Sequence, residues 1–161
     1  MAVRPALNIL ERDENNIVGL WHNVFVTMFR GPVTLEGLRR VGAQQRQLDK
    51  RFPDGYCALA VMTMSSVRME AEVRAEATRL SQNPGQNIKA IAQVIEGTGL
   101  GAATTRMIAS AIMLLRKSAP PSKLFEDVRT AAQWLLPHIK ADTPVTIDEL
   151  IAAIGQAWSQ E

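Results

Sequence analysis

Residues 123–135 read Lys-Leu-Phe-Glu-Asp-Val-Arg-Thr-Ala-Ala-Gln-Trp-Leu, a short apolar strand running directly into a capped helix. Leu124 and Phe125 supply the strand, Asp127 stands where an N-cap is needed, and Val128, Ala131, Ala132, Trp134 and Leu135 give the helix an inner face. A strand that ends in a helix packing back over it belongs to a layered α/β arrangement rather than to a bundle or a sandwich. The chain has the material for such a core: 47% of its 161 residues are hydrophobic and 21% charged, the balance of a single globular domain.

The same grammar recurs upstream. Residues 17–20 and 24–29 are β-branched and aromatic runs separated by Trp21, His22 and Asn23, as in a β-hairpin. After Gly31-Pro32, Thr34 is placed as an N-cap with Val33 and Leu38 as a hydrophobic staple, opening a helix to about Arg51. Leu35, Leu38, Val41, Leu48 and Phe52 share its inner face, and Arg39, Arg40, Arg46, Lys50 and Arg51 decorate the rest until Pro53-Asp54-Gly55 stops it. Tyr56 to Met62 is continuously apolar, the mark of a central strand covered on both faces. Ser65 or Ser66 then caps a helix carrying Met69, Val73, Ala77 and Leu80, which ends before Asn83-Pro84-Gly85. Ile88 to Ile95 reads as a strand, 97–101 as its turn, and 102–116 as a helix with Met107, Ile108, Ala111, Ile112 and Leu115 inward.

Thr146-Ile147-Asp148-Glu149 is a capping box with Val145 and Leu150 as its staple. The expected order, β-β-α-β-α-β-α-β-α, calls for a mixed sheet of about five strands flanked by helices, with an extra amphipathic helix at the C-terminus. Residues 1–14 are expected to be an N-terminal arm, 15–139 the α/β domain, and 140–161 an extension packing on the domain or on a partner. Ile147, Leu150, Ile151, Ile154 and Trp158 form that helix's apolar stripe, a candidate interface with Trp158 as anchor.

Several functions are disfavoured by inventory. A net charge of +2 and a pI near 9.0 do not by themselves imply nucleic acid, and no run approaches the roughly 20 apolar residues of a membrane span. The single cysteine, Cys57, cannot form an intramolecular disulfide and fits a reducing compartment, so cytoplasm is expected. His22 and His138 have no metal-ligand spacing, Cys57 lies within an apolar strand, and Glu70/Glu72 and Asp148/Glu149 do not face each other on their helices. No catalytic residue, metal or cofactor is expected. Between Arg30 and Arg51 six cations stand against Glu36 and Asp49, which reads as a solvated face, a phosphate-binding surface or a surface for an acidic protein. Gly97, Thr98, Gly99 and Gly101 make either a tight turn or an anion-binding loop at a helix start, without the spacing of a P-loop or of GxGxxG.

The hairpin, the helix entry at 31–38, the apolar strand at 56–62 and the ending at 123–135 resemble the STAS-like domains related to bacterial anti-sigma-factor antagonists. The ending is similar in particular to their sporulation-antagonist-like branch: Phe125, Asp127, Ala131, Trp134 and Leu135 match its pattern of Phe, a cap, then Ala-x-x-Trp-Leu. The resemblance covers about residues 15–137. It implies a non-catalytic switch or docking module, with a serine phosphorylated by a partner kinase at the start of the helix after the central strand. Thr63, Ser65 and Ser66 occupy that region, although the Asp-Ser pair and following Gly-Leu of the best-known members are missing from 62–68, and helix capping also explains a serine there. The expected role is protein-protein interaction or regulation in a bacterial cytoplasmic pathway, with a protein partner of unknown identity or a second copy of the chain. The alternative is a small-ligand or anion sensor or carrier using the 97–101 loop or an apolar cavity beside the helices.

Overall fold

A computed structural model of the chain describes residues 5–114 and 120–160. Strands β1 (Asn8–Arg12), β2 (Asn16–Trp21), β3 (Val24–Phe29), β4 (Tyr56–Met62), β5 (Ile88–Ile95) and β6 (Ser122–Phe125) lie side by side in chain order. The first three are antiparallel and the last four parallel, joined by helices α1 (Leu35–Arg51), α2 (Met64–Val67), α3 (Ala71–Gln82) and α4 (Leu100–Leu114). Helix α5 (Val128–Leu135), a 3-10 turn (Leu136–His138) and α6 (Ile147–Ser159) complete the order. Among the described residues no helix is long and apolar enough to cross a membrane.

The expected mixed α/β architecture is present, with two corrections at its ends. The sheet has six strands rather than five, because part of the expected arm is β1. Its pattern is hard to read because the register shifts between Ile9 and Glu11, and an extra residue on one strand breaks the alternation that signals a strand. The bulge lets Leu10 join the core on the α1 side, while Gln44 of α1 donates to Glu11 at 2.9 Å. Trp21, expected in the hairpin turn, instead closes β2 opposite Val24, leaving His22 and Asn23 as a two-residue turn with His22 at φ 53°.

Strands β2, β3 and most of β4 are buried on both faces, so the sheet needs cover on two sides. On one face Val18, Phe25, Tyr56 and Ala58 pack under Leu38, Val41 and Leu48 of α1, with α3 beside them. Thr34 holds α1 in place by accepting from Gly37 N at 3.0 Å. On the other face Ile17, Trp21, Val26, Leu59 and Ala92 meet Ala131, Ala132 and Leu135 of α5 and Leu150, Ala153, Ile154 and Ala157 of α6. Another register shift, between Tyr56 and Cys57 opposite the start of β5, explains why Ile88 and Ile91 share a face despite their odd spacing.

The C-terminal stripe is therefore part of the domain's own core. Leu150 is 1% exposed and Ile154 8%, and neither is available to a partner, while Ile147 and Trp158 are partly buried against the same cluster and Ile151 is half-buried. With only 8 residues, α5 spans about 12 Å, too little to cover β1 to β5 alone. The full capping box at Thr146 and Glu149 starts α6, and Arg12 of β1 donates to the Gln160 carbonyl at 2.6 Å and to the Ala157 carbonyl at its other end. Arg30 lies 3.9 Å over the Trp158 ring. Asn23 ties the hairpin turn to this region, its amide donating to the His138 carbonyl at 3.1 Å and accepting from Lys140 N at 2.7 Å.

Helix α4 departs from expectation too: Met107, expected inward, is 68% exposed, and Leu100 is 88% exposed. The expected inward positions Ile108, Ala111, Ile112 and Leu115 have side chains outside the described residues.

Leu150→Ala is expected to lower the unfolding free energy by about 2–5 kcal/mol, as a large-to-small change in a closed core does. Deleting 146–161 is expected to give an aggregating, unfolded chain rather than a folded monomer. Urea melts and light scattering read both, and a folded truncation would show that α6 is dispensable.

Candidate functional site

The two segments singled out in the sequence come together at the carboxyl ends of the parallel strands, where α/β folds commonly place their sites. Thr63 N donates to the Phe29 carbonyl at 3.3 Å as the chain leaves β4, and Glu96 N donates to the Met62 carbonyl at 2.9 Å as it leaves β5. The two exits are thereby locked side by side. A Cβ on Gly97 would lie 3.3 Å from Met64 Cγ, so the glycine loop backs directly onto α2.

No serine caps the long helix after β4. Met64–Val67 forms a single short turn, the chain extends at Arg68, and α3 begins at Ala71 with Glu70 in the cap position making no side-chain cap bond. Ser66 is fully buried and its Oγ donates to the Phe29 carbonyl at 2.9 Å, which stitches α2 to β3. Thr63 Oγ1 lies 3.2 Å from Ser66 Oγ and 2.9 Å from Ser65 Oγ, joining the three hydroxyls in one chain. Of the three candidate switch residues only Ser65 is exposed; Thr63 is half-buried and Ser66 closed to any enzyme.

In the loop, Gly97 (φ 138°) and Gly99 (φ 93°) occupy the left-handed region that L residues avoid, which accounts for both as turn residues. Gly101 sits in the first turn of α4, and Thr98 is exposed. Arg106 of α4 donates to the Ile95 carbonyl at 2.9 Å and the Gly97 carbonyl at 3.1 Å, and its guanidinium lies 3.7 Å from Glu126. The loop is thus held by its carbonyls from within the helix that follows it.

A cavity of about 210 Å³ lies elsewhere, between the β1–β2 edge and α1, with Val18, Phe29 and Val41 among its apolar lining. It lies beside α1, and its lining is mixed rather than apolar throughout. Glu11, Asp13 and Arg40 line it as well, and Arg40 is paired to Glu11 at 3.4 Å, to Asp13 at 3.1 Å and to Glu36 at 3.5 Å. Burial alone would raise the Asp13 carboxyl, but hydrogen bonds from Asn15 N and the Asn16 backbone and amide, with Arg40 nearby, hold it below the ordinary carboxylate value. Asn16 Oδ1 is buried with no partner among the described residues. Sequence reading missed this cavity because it depends on β1.

Neither Cys57 nor Tyr56 is activated as a nucleophile. Burial pushes the Cys57 thiol up to about 12, the reverse of what a thiolate nucleophile needs. Tyr56 is likewise raised, first by burial and then by the Asp49 carboxylate, which it meets at 3.3 Å. Asp49 is itself engaged in the fold, accepting from Gln86 N and Asn87 N at 3.0 Å each. His22 stacks edge-on against Trp21, and His138 lies beside Trp134. Among the described residues no group of three or more His, Cys, Asp or Glu is placed to hold a metal ion.

No family model matches the chain, and no curated protein matches it. It is similar to the crystal structure of an uncharacterised protein of the DUF3478 family with a SpoIIAA-like fold from Shewanella loihica PV-4, at 21% identity and a TM-score of 0.49. The match covers 81% of this chain and 92% of that one.

Ser66→Asp is expected to destabilise the fold by about 3 kcal/mol or more, since it buries an unpaired charge, while Ser65→Asp should cost under about 0.5 kcal/mol. Chemical denaturation distinguishes them, and equal losses would mean Ser66 is not closed. A second expectation concerns alkali. Cys57 and Tyr56, ordinarily near 9 and 10, stay protonated longer in the fold than in the unfolded chain. Stability should be full below pH 9 and fall above it, by up to about 1.4 kcal/mol per pH unit for each group. Urea titrations between pH 7 and about 10.5 test this, and Cys57→Ala should remove the part of the fall that begins near pH 9.

Proposed function

We propose that this chain is a non-catalytic protein-interaction module of STAS-like type, working in a bacterial cytoplasmic regulatory pathway. The observation that carries the reading is the apolar exposure of α4, where Leu100 is 88% and Met107 68% exposed. Seven residues apart, they stand two turns from each other on one helix face. Burying either is worth about 1.5–3 kcal/mol, so a partner that covers both gains appreciable free energy from this face alone. Exposed Ser65 sits on α2, whose Met64 lies against Gly97 of the loop that leads into α4, and a phosphate on Ser65 would add about two negative charges to that short helix.

A second reading, small-ligand or anion binding, is favoured by the cavity of about 210 Å³ and by the exposed loop of Gly97, Thr98, Gly99 and Gly101. A thermal-shift series separates the two: stabilisation by one ligand class and not by others supports the second reading.

For the first, the full chain and a Leu100→Glu/Met107→Glu variant are compared by light scattering after size-exclusion chromatography over a concentration series. A concentration-dependent dimer that becomes a monomer in the variant, with unchanged circular dichroism, is the expected result. A chain that is monomeric throughout and recovers no partner in a variant-sensitive way would sink the proposal.

A further inference from the structure

The positive charge of this chain is segregated. Helix α1 holds Arg39, Arg40, Arg46, Lys50 and Arg51 against Glu36 and Asp49, while the whole chain carries only +2, so everything outside α1 is on balance slightly acidic. Two of these groups are spoken for: Arg40 pairs with Glu11, Asp13 and Glu36, and Arg51 lies over the Phe52 ring. Asp49 is turned to the loop before β5 and offers its helix no surface charge balance.

Arg39, Arg46 and Lys50 are different. All three are exposed, and they recur at i, i+7 and i+11, within about 40° of one another around the helix and opposite buried Leu48. Among the described residues none of them makes a hydrogen bond or ion pair, and the carboxylate beside Arg39, that of Glu76, is already held by Arg79 at 2.6 Å. Most other described arginines are engaged: Arg12 by α6 carbonyls, Arg30 by Trp158, Arg106 by Glu126 and Arg129 by Asp148. Arg46 and Lys50 also form a like-charge i, i+4 pair, which costs the isolated helix a few tenths of a kcal/mol, about 0.2–0.5. Carboxylates from outside would relieve that repulsion.

We infer that the outward face of α1 docks an acidic α-helical segment of a partner protein, with Arg39, Arg46 and Lys50 as the contacts; the inference rests on the interaction-module reading and adds a second surface to it. The stripe is about 16 Å long, three turns of helix, and a partner helix bearing carboxylates at the same spacing matches it residue for residue. A protein is favoured over nucleic acid because no aromatic side chain stands among the three cations to stack on a base.

The probe is a fluorescein-labelled helical peptide with glutamates at i, i+7 and i+11, titrated with the full chain in 0.1 M salt and read by anisotropy. Arg39→Glu/Arg46→Glu/Lys50→Glu is expected to weaken binding at least about tenfold with unchanged circular dichroism, and a lysine version of the peptide should bind the variant instead. Raising salt to about 0.5 M should weaken the wild-type complex several-fold. Equal binding by variant and wild type, or no binding by wild type, overturns the assignment, and so does tighter binding of an oligonucleotide of equal charge. Light scattering on the same triple variant keeps the two proposals apart: if assembly through Leu100 and Met107 persists while peptide binding fails, only the α1 surface is lost.

Discussion

Strand β4 sets the terms for everything else. Tyr56, Cys57, Ala58 and Leu59 are buried although they alternate between the two faces of the sheet, so neither face can be left to water. Its neighbours on both sides are parallel, and parallel neighbours need crossover helices, which supply one cover in α1 and α3. The other cover cannot come from a crossover and is supplied by α5 and α6 after the last strand. What reads as an appended helix thus completes the second cover of the sheet, over β2 beside α5.

The legible parts of the sequence were those whose signals are local. The Thr34 cap, the Asp127 cap, the Thr146 capping box and the apolar run of β4 each depend on a few adjacent residues, and each is found where its pattern points. What escaped depends on distant partners. Strand β1 is a strand only because β2 pairs with it around a bulge, and the α6 stripe looks like an interface until Ile17 and Trp21 are seen to meet it. The break between α2 and α3 follows the same rule, since Ser66 is held by the carbonyl of Phe29 on another strand rather than by its own helix.

The candidate site was legible in its residues and not in its geometry. Thr63, Ser65, Ser66 and the glycine loop were visible as two separate segments, and only the pairing of β4 with β5 makes them neighbours. Their accessibility could not be read at all, because a helix of four residues carries no periodic pattern to tell the buried serine from the exposed one. The same turn that leaves Ser65 in water makes Ser66 a structural bolt. Surface charge, by contrast, was fully legible on α1, since the helical repeat that buries Leu48 necessarily turns Arg39, Arg46 and Lys50 outward.

The Asn23 amide has a consequence for how the chain comes into being. The hairpin that carries it is made well before the groups that satisfy it, the His138 carbonyl and the Lys140 amide, which follow 115 and 117 residues later. A nascent chain can close the β2–β3 turn early, but the turn keeps a polar side chain without its final partners until residues 138–140 have been made. A chain cut short before residue 138 therefore leaves a polar side chain of its hairpin turn without its partners, 115 residues upstream of where they would have been.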